Sequence, residues 1–203
     1  MRQERQDNLY NESSLISLNP LEFTRLRPQV YAGDCTYSTQ LLVEIFSNAV
    51  DEFNAGHGNQ IDVSINKDIV IVQDYGQGFI PNSIREDGKT ILEAAFSVLN
   101  TSGKYKEDGS YEGTSLGSFG IGSKITTFLS HWLTVETHRD NKYEKITFNE
   151  GVFKDRTVGP WNKESGTIVT WQPSEEFFVN TEVEISKIQT LFKTISCLCP
   201  GLT

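Results

Sequence analysis

The sequence contains no Cys-x-x-Cys pair, no excess of basic residues and no long apolar run, and each absence removes a class of protein. Cys35, Cys197 and Cys199, together with His57, His131 and His138, fall at no zinc-ligand spacing, so no structural metal site is expected and the thiols read as reduced. Eighteen Lys and Arg stand against 27 Asp and Glu, a net charge of −9. Such a surface is not expected to grip a polyanion, because nucleic-acid affinity rests on cations that neutralise phosphates. No apolar run reaches the roughly 18 residues of a membrane span, and the opening MRQERQDNLYNESS has no apolar signal segment, so a soluble, cytoplasmic location is expected. Internal repeats and low-complexity segments are also lacking.

What remains is an ordinary globular composition, 203 residues with 37% hydrophobic and 11% aromatic side chains, enough for one domain with a real core. Residues 1–20 are polar with Leu15, Ile16 and Leu18 as anchors and read as an arm, leaving 21–203 as the domain. TRLRPQVYAGD reads as turn-like, and a helix follows from Ser38 or Thr39, its expected caps, to Ala55-Gly56. The period then changes: Ile61, Val63 and Ile65 alternate, NKD turns, and IVIVQD continues as a second strand of a hairpin. A helix is predicted from Thr90 to Leu99, a long glycine-rich polar passage follows, and Ile121–Leu129 is again helical. LTVETHR and KYEKITF read as strands around the turn DN, a connector with Gly159-Pro160 leads to the strand GTIVTWQP, and a last helix ends before Pro200. Hairpin connections mixed with helices predict an α+β fold, a mostly antiparallel sheet covered by helices on one face.

Three stretches carry chemistry. In LLVEIFSNAVDEF the apolar residues share one helix side, while Glu44, Asn48, Asp51 and Glu52 fall on the other with no basic residue among them. The face is either solvated or a place for a divalent cation and a poised water, since a solvated helix ordinarily mixes in Lys or Arg. DYGQG at a strand end is either a turn or a spot where glycines admit a flat ring and Asp74 accepts a hydrogen bond from an exocyclic amine. In LGSFGIGSKITTF, glycines at 117, 120 and 122 run into a helix, an anion cradle with Lys124 nearby or else a flexible lid. Two other motifs fail: Gly88-Lys89-Thr90 has Ser83 where a P-loop needs glycine, and Gly76-x-Gly78 has Pro81 where a dinucleotide fingerprint needs its third.

The order of these parts, acid/amide helix, DxGxG, glycine lid into helix, GTxV in a late strand, resembles the GHKL ATPase superfamily and its Bergerat-type two-layer α/β sandwich. RPQVYAGD, NAVDEFNAGH, SGKY and GTIVTWQPSEEF narrow the likeness to the N-terminal ATPase domains of type IIA topoisomerase B subunits, over nearly all of residues 10–200. The resemblance implies ATP and Mg²⁺ as cofactors. It makes Glu44 the general base toward the attacking water and Asn48 the Mg²⁺ ligand one turn further on. Asp74 would recognise the adenine amine, with Gly76, Gly78 and Ile80 beside the ring, Thr167 in the same network and Glu52 on the helix wall. Lys104 and the run Gly117, Ser118, Phe119, Gly120, Ile121, Gly122 would close over the phosphates, Arg139 would stand at the pocket mouth, and Tyr10 and Leu15 would belong to an arm that reaches a second protomer. Ser47, Gln77, Phe79 and Phe119 depart from the family's pattern; Gln77 stands for an arginine that pairs with the acid matching Glu52. The implied partners are a second B protomer, bound in a nucleotide-dependent way, the topoisomerase A subunit through domains that this chain lacks, and DNA only through the whole enzyme. A nucleotide-gated dimerisation module of a mismatch-repair-like or chaperone-like machine is the alternative. The ending CPGLT falls where a type IIA B subunit passes into its next domain, so the chain is expected to be a fragment.

Overall fold

The computed structural model describes residues 18–99 and 120–203. Two short helices open it, α1 (Pro20–Leu26) and α2 (Pro28–Ala32), in the stretch that reads from sequence as arm and turn. Proline at the first position of each supplies the helical φ where no N–H is needed. α1 adds a capping box: the Asn19 side chain accepts from the Glu22 amide at 2.9 Å and Glu22 accepts from the Asn19 amide at 3.1 Å. Arg25 ties α1 to the rest, donating to the Phe128 carbonyl and pairing with Glu150 and Glu176.

α3 (Thr39–Asn54) follows, then the strands β1 (Ile61–Asn66) and β2 (Ile69–Asp74), α4 (Ile91–Ser97) and α5 (Gly122–Phe128). The remaining elements are β3 (Ser130–Arg139), β4 (Lys142–Asn149), β5 (Val152–Pro160), β6 (Gly166–Pro173) and α6 (Ile185–Leu198). The hairpins β1–β2, β3–β4 and β4–β5 turn through residues at positive φ, Lys67, Asp140 with Asn141, and Glu150 with Gly151. β5 is the passage expected to be a connector. Its exposed, charged run KDR lacks the alternation of a half-buried strand, and charge of that kind suits the unpaired side of an edge strand.

All six strands pair antiparallel in the order β1-β2-β6-β3-β4-β5. Val70, Val72, Val169, Trp171, Val135 and Ile146 project from one face, each at most 4% exposed, and α3 lays Leu42, Ile45, Phe46 and Ala49 into the same core. Each such side chain contributes about 2 kcal/mol by leaving water, which is why the helix sits there despite its acidic other side. Ser38 does not cap α3 with its side chain; its hydroxyl donates instead to the Thr181 carbonyl at 2.7 Å, and Thr39 Oγ1 accepts from the Glu184 amide at 2.9 Å. The helix start is thus anchored to the start of α6. In its first turn, the Leu41 carbonyl accepts from the Thr126 hydroxyl of α5 at 3.3 Å. Among the described residues no helix is long and apolar enough to cross a membrane.

Candidate nucleotide site

One row of inward-facing residues crosses four strands and differs from its neighbours in being polar. Asp74 of β2 pairs with Thr167 of β6, Thr167 with Thr137 of β3, and Thr137 with Glu144 of β4. Two residues along each strand, in the direction away from the loop, the same face carries Val72, Val169, Val135 and Ile146, so the alternation of side chains aims the polar row into the layer beneath the helices. Thr137 and Glu144 are fully buried. Polar groups there must find partners, and they find them in the backbone of the loop that follows β2. Asp74 Oδ1 accepts from the Gly76 amide at 2.9 Å, Thr137 Oγ1 from the Phe79 amide at 2.7 Å and Glu144 Oε2 from the Asn82 amide at 2.6 Å. The DYGQGFIPN loop is therefore laid along the sheet and pinned at three points.

Gly78 is needed for that path: its φ is +69°, and a Cβ would meet the His138 carbonyl at 2.6 Å and Thr137 Oγ1 at 2.9 Å. Burial pushes the Asp74 carboxyl up to about 6; the amides of Gly76 and Thr167 pull it down, and the nearby Glu52 charge adds to the rise. Glu144 is held by Arg156, whose Nε donates at 2.9 Å and whose other arm reaches Asn82 Oδ1. Neither Glu144 nor Arg156 is marked by the sequence motifs; a lone acid at an otherwise apolar inward position of β4 is the signal that could have found it.

α3 forms the facing wall. Glu52 lies at the Asp74 end, its Oε2 as close to Gly76 as Asp74 Oδ1 is, both 2.9 Å from where a Gly76 Cβ would stand. Glu44 lies two turns away, where its carboxylate meets Gly122 at the start of α5 and accepts from the Gln40 side chain at 2.6 Å. Eight residues of helix separate the two acids by about 12 Å. Asn48, between them, is exposed. Asp51 departs from the expected polar face, being 5% exposed. Lys124 is likewise buried, 3% exposed, and burial lowers its ammonium to about 8, so its environment is the helix layer and not an open surface.

Arg139 sits at the rim of the loop, where its guanidinium donates to Gln77 Oε1 and to the Gly78 carbonyl, both at 3.2 Å. Gln77 is thus turned to Arg139. Ile80 is 49% exposed beside them. Gly120 and Ile121 lead into α5 next to Glu44. Lys104, Gly117, Ser118, Phe119, Tyr10 and Leu15 lie outside the described residues. A cavity of about 450 Å³ lies at the end of β2, lined by Gln73, Asp74, Tyr75, His138, Trp161, Lys163, Glu164 and Ser165; Gln73 and His138 alternate with members of the row along their strands, so Asp74 joins the row to this cavity. Within its lining His138 stacks on Trp161, ring centres 3.7 Å apart.

An acid-bearing helix, a strand-end aspartate with a glycine loop beneath it and a late strand beside it, all in one antiparallel layer under helices, define the GHKL type of nucleotide-binding domain. The chain is homologous to the ATPase domains of type IIA topoisomerase B subunits. It is 36% identical over 200 residues to the DNA gyrase B subunit of Thermus thermophilus, covering 95% of this chain and 31% of that one. It is also 39% identical over 181 residues to the DNA topoisomerase 4 B subunit of Staphylococcus aureus, covering 84% of this chain and 26% of that one. The crystal structure of the 43K ATPase domain of Thermus thermophilus gyrase B, solved in complex with an aminocoumarin, superposes with a TM-score of 0.74 at 31% identity over 90% of this chain and 46% of that chain. No family model matches the chain. The chain spans about a third or less of the length of these curated relatives.

Proposed function

We propose that this domain binds ATP with Mg²⁺ and hydrolyses it, and that in a type IIA topoisomerase the bound nucleotide gates dimerisation of the B protomers for DNA strand passage. The observation that carries the reading is the arrangement along α3: a recessed aspartate with backbone glycines at one end, a carboxylate oriented by an amide at the other, and a separation of the order of a nucleoside triphosphate. Asp74 accepts a hydrogen bond from the adenine amine, and Gly76 and Gly78 let the ring lie close to the backbone. At the far end Glu44, held by Gln40, orients a water and takes its proton as the water attacks the γ-phosphate.

Among the described residues no group of three or more His, Cys, Asp or Glu could hold a metal ion. Mg²⁺ characteristically takes one or two protein oxygens and completes its octahedron with water and phosphates. Asn48 supplies the protein oxygen, exposed on the same wall one turn from Glu44. When bound, the ion would neutralise phosphate charge; this chain's own residues position the base and the water. Lys104 and the amides of residues 117–122 close over the phosphates, and the arm residues Tyr10 and Leu15 cross to a second B protomer. The A subunit and DNA are engaged by other domains.

The test is hydrolysis by this domain within a whole topoisomerase B subunit. Glu44→Gln should keep affinity for a non-hydrolysable analogue and lose turnover by about 10²-fold or more. Turnover at the unsubstituted rate would remove Glu44 from the role of base.

A further inference from the structure

Two buried polar atoms face each other at the Asp74 end of α3. Glu52 Oε2 and His57 Nδ1 are 3.5 Å apart, and neither has a hydrogen-bond partner among the described residues. The distance suits attraction, but the angles do not make a hydrogen bond. Leaving both orphaned is costly, and a native structure ordinarily explains such a pair. The backbone sets the imidazole there. The His57 amide donates to the Glu52 carbonyl at 2.9 Å just past the helix end, and Gly58, at φ +70°, packs its backbone against the Tyr75 carbonyl.

The surrounding charges leave this place to His57. Asp74 approaches Gly76 from β2 as closely as Glu52 does from α3. Tyr75 donates its hydroxyl to Asp62 of β1 at 2.8 Å. Arg139 of β3 is engaged with Gln77, Gly78 and, at 3.7 Å, Asp140. No Lys or Arg among the described residues pairs with Glu52.

We propose that His57 is a positioning residue for base recognition: a small turn of its ring lets Nδ1–H donate to Glu52 Oε2, which draws that carboxylate from Gly76 and leaves Asp74 to accept from an exocyclic amine. The amine part rests on the nucleotide reading above; the linkage among His57, Glu52 and Asp74 does not. Either the imidazolium or the Nδ1–H tautomer can donate. Burial already pushes Asp74 up to about 6 and the Glu52 charge pushes the same way, so a donor that draws on that charge moves Asp74 down.

Carbon-detected NMR of the Asp74 carboxyl in the nucleotide-free domain reads this directly. His57→Leu should titrate about half a pH unit to one unit above the unsubstituted domain, and Glu52→Gln below it. His57→Asn, whose amide places a donor where Nδ1 stands, should titrate with the unsubstituted domain. His57→Leu combined with Glu52→Gln should match Glu52→Gln alone. The acid limb of affinity for a non-hydrolysable ATP analogue should move in the same order. Equal Asp74 midpoints in the unsubstituted and His57→Leu domains, or His57→Asn behaving as His57→Leu, would overturn the proposal. If Leu is not tolerated in the loop, Glu52→Gln and His57→Asn decide by themselves, and a Glu52→Gln midpoint that does not fall overturns it. Midpoints that move as stated in a domain that binds no analogue support the linkage and overturn the nucleotide reading instead.

Discussion

The Glu44 carboxylate occupies the space that a side chain on Gly122 would need, so that the first residue of α5 and the middle of α3 touch through an oxygen. A glycine at a helix start is ordinarily replaceable by alanine with a gain in helix propensity. Here the added methyl would press Glu44 out of line with any water it holds. Gly122→Ala is expected to lower turnover by about 10-fold or more, a shift of roughly 1.4 kcal/mol, over and above any change in analogue affinity. Steady-state hydrolysis and calorimetry on the same protein check both halves.

Gln40 bears on the same carboxylate from the preceding turn, donating to Glu44 Oε1 at 2.6 Å. Gln40→Leu keeps the volume and removes the donor. Turnover is expected to fall about 3- to 10-fold through loss of orientation, with affinity retained; Gln40→Leu in a Glu44→Gln background should cost nothing further, a comparison that a hydrolysis cycle measures.

Asp74 sets function against stability. Its folded carboxyl titrates near 6 against 3.8 for the ordinary group, chiefly through burial. A raised carboxylate means that the folded state binds a proton more tightly than the unfolded one, so stability falls as pH climbs from about 4 to 6 and the whole deficit remains above that. Asp74→Asn removes the deficit and is expected to stabilise the nucleotide-free domain by about 1–2 kcal/mol at pH 7.5, after allowance for partial solvent contact, and by little at pH 4. Urea unfolding at the two pH values is the measurement.

Arg156 and Glu144 form the brace beneath the loop. Removing the guanidinium leaves a fully buried carboxylate with the Asn82 amide, at 2.6 Å, as its remaining described donor. Arg156→Ala is expected to destabilise by about 3 kcal/mol, and a second change, Glu144→Gln, to restore most of it, because the cost lies in the stranded charge. Denaturant melts of the two single variants and the double variant give the cycle.

Local pattern made much of this legible. The 3.6-residue period of residues 39–54 and the alternation of IDVSIN and IVIVQD specify α3 and the first hairpin, and Asp140-Asn141 sits at positive φ where a tight turn was read. The order Glu44, Asn48, Asp74, Gly122, Thr167 pointed to one site through its likeness to a family pattern, with Asp74 closing β2 and Gly122 opening α5. Elements that owe their form to context were not legible. α1 and α2 are too short to show a period, and β5 is an exposed edge whose pairing with β4 supplies what its own residues do not. Sheet order was equally hidden, since β6 inserts between β2 and β3 through contacts far apart in sequence. The row Asp74-Thr167-Thr137-Glu144 exists only through that order. So does the partner of Gln77: the spacing marks Gln77 as a departure but cannot say that it turns to Arg139.

Calorimetric titration of the domain with a non-hydrolysable ATP analogue in Mg²⁺, beside the same titration of Asp74→Ala, tests the nucleotide reading most directly. The expected result is saturable one-to-one binding, with Asp74→Ala weakened by roughly 1.5–3 kcal/mol or more, the worth of a hydrogen bond to a charged acceptor. Undiminished affinity in Asp74→Ala, or no saturable binding by the unsubstituted domain, would contradict it.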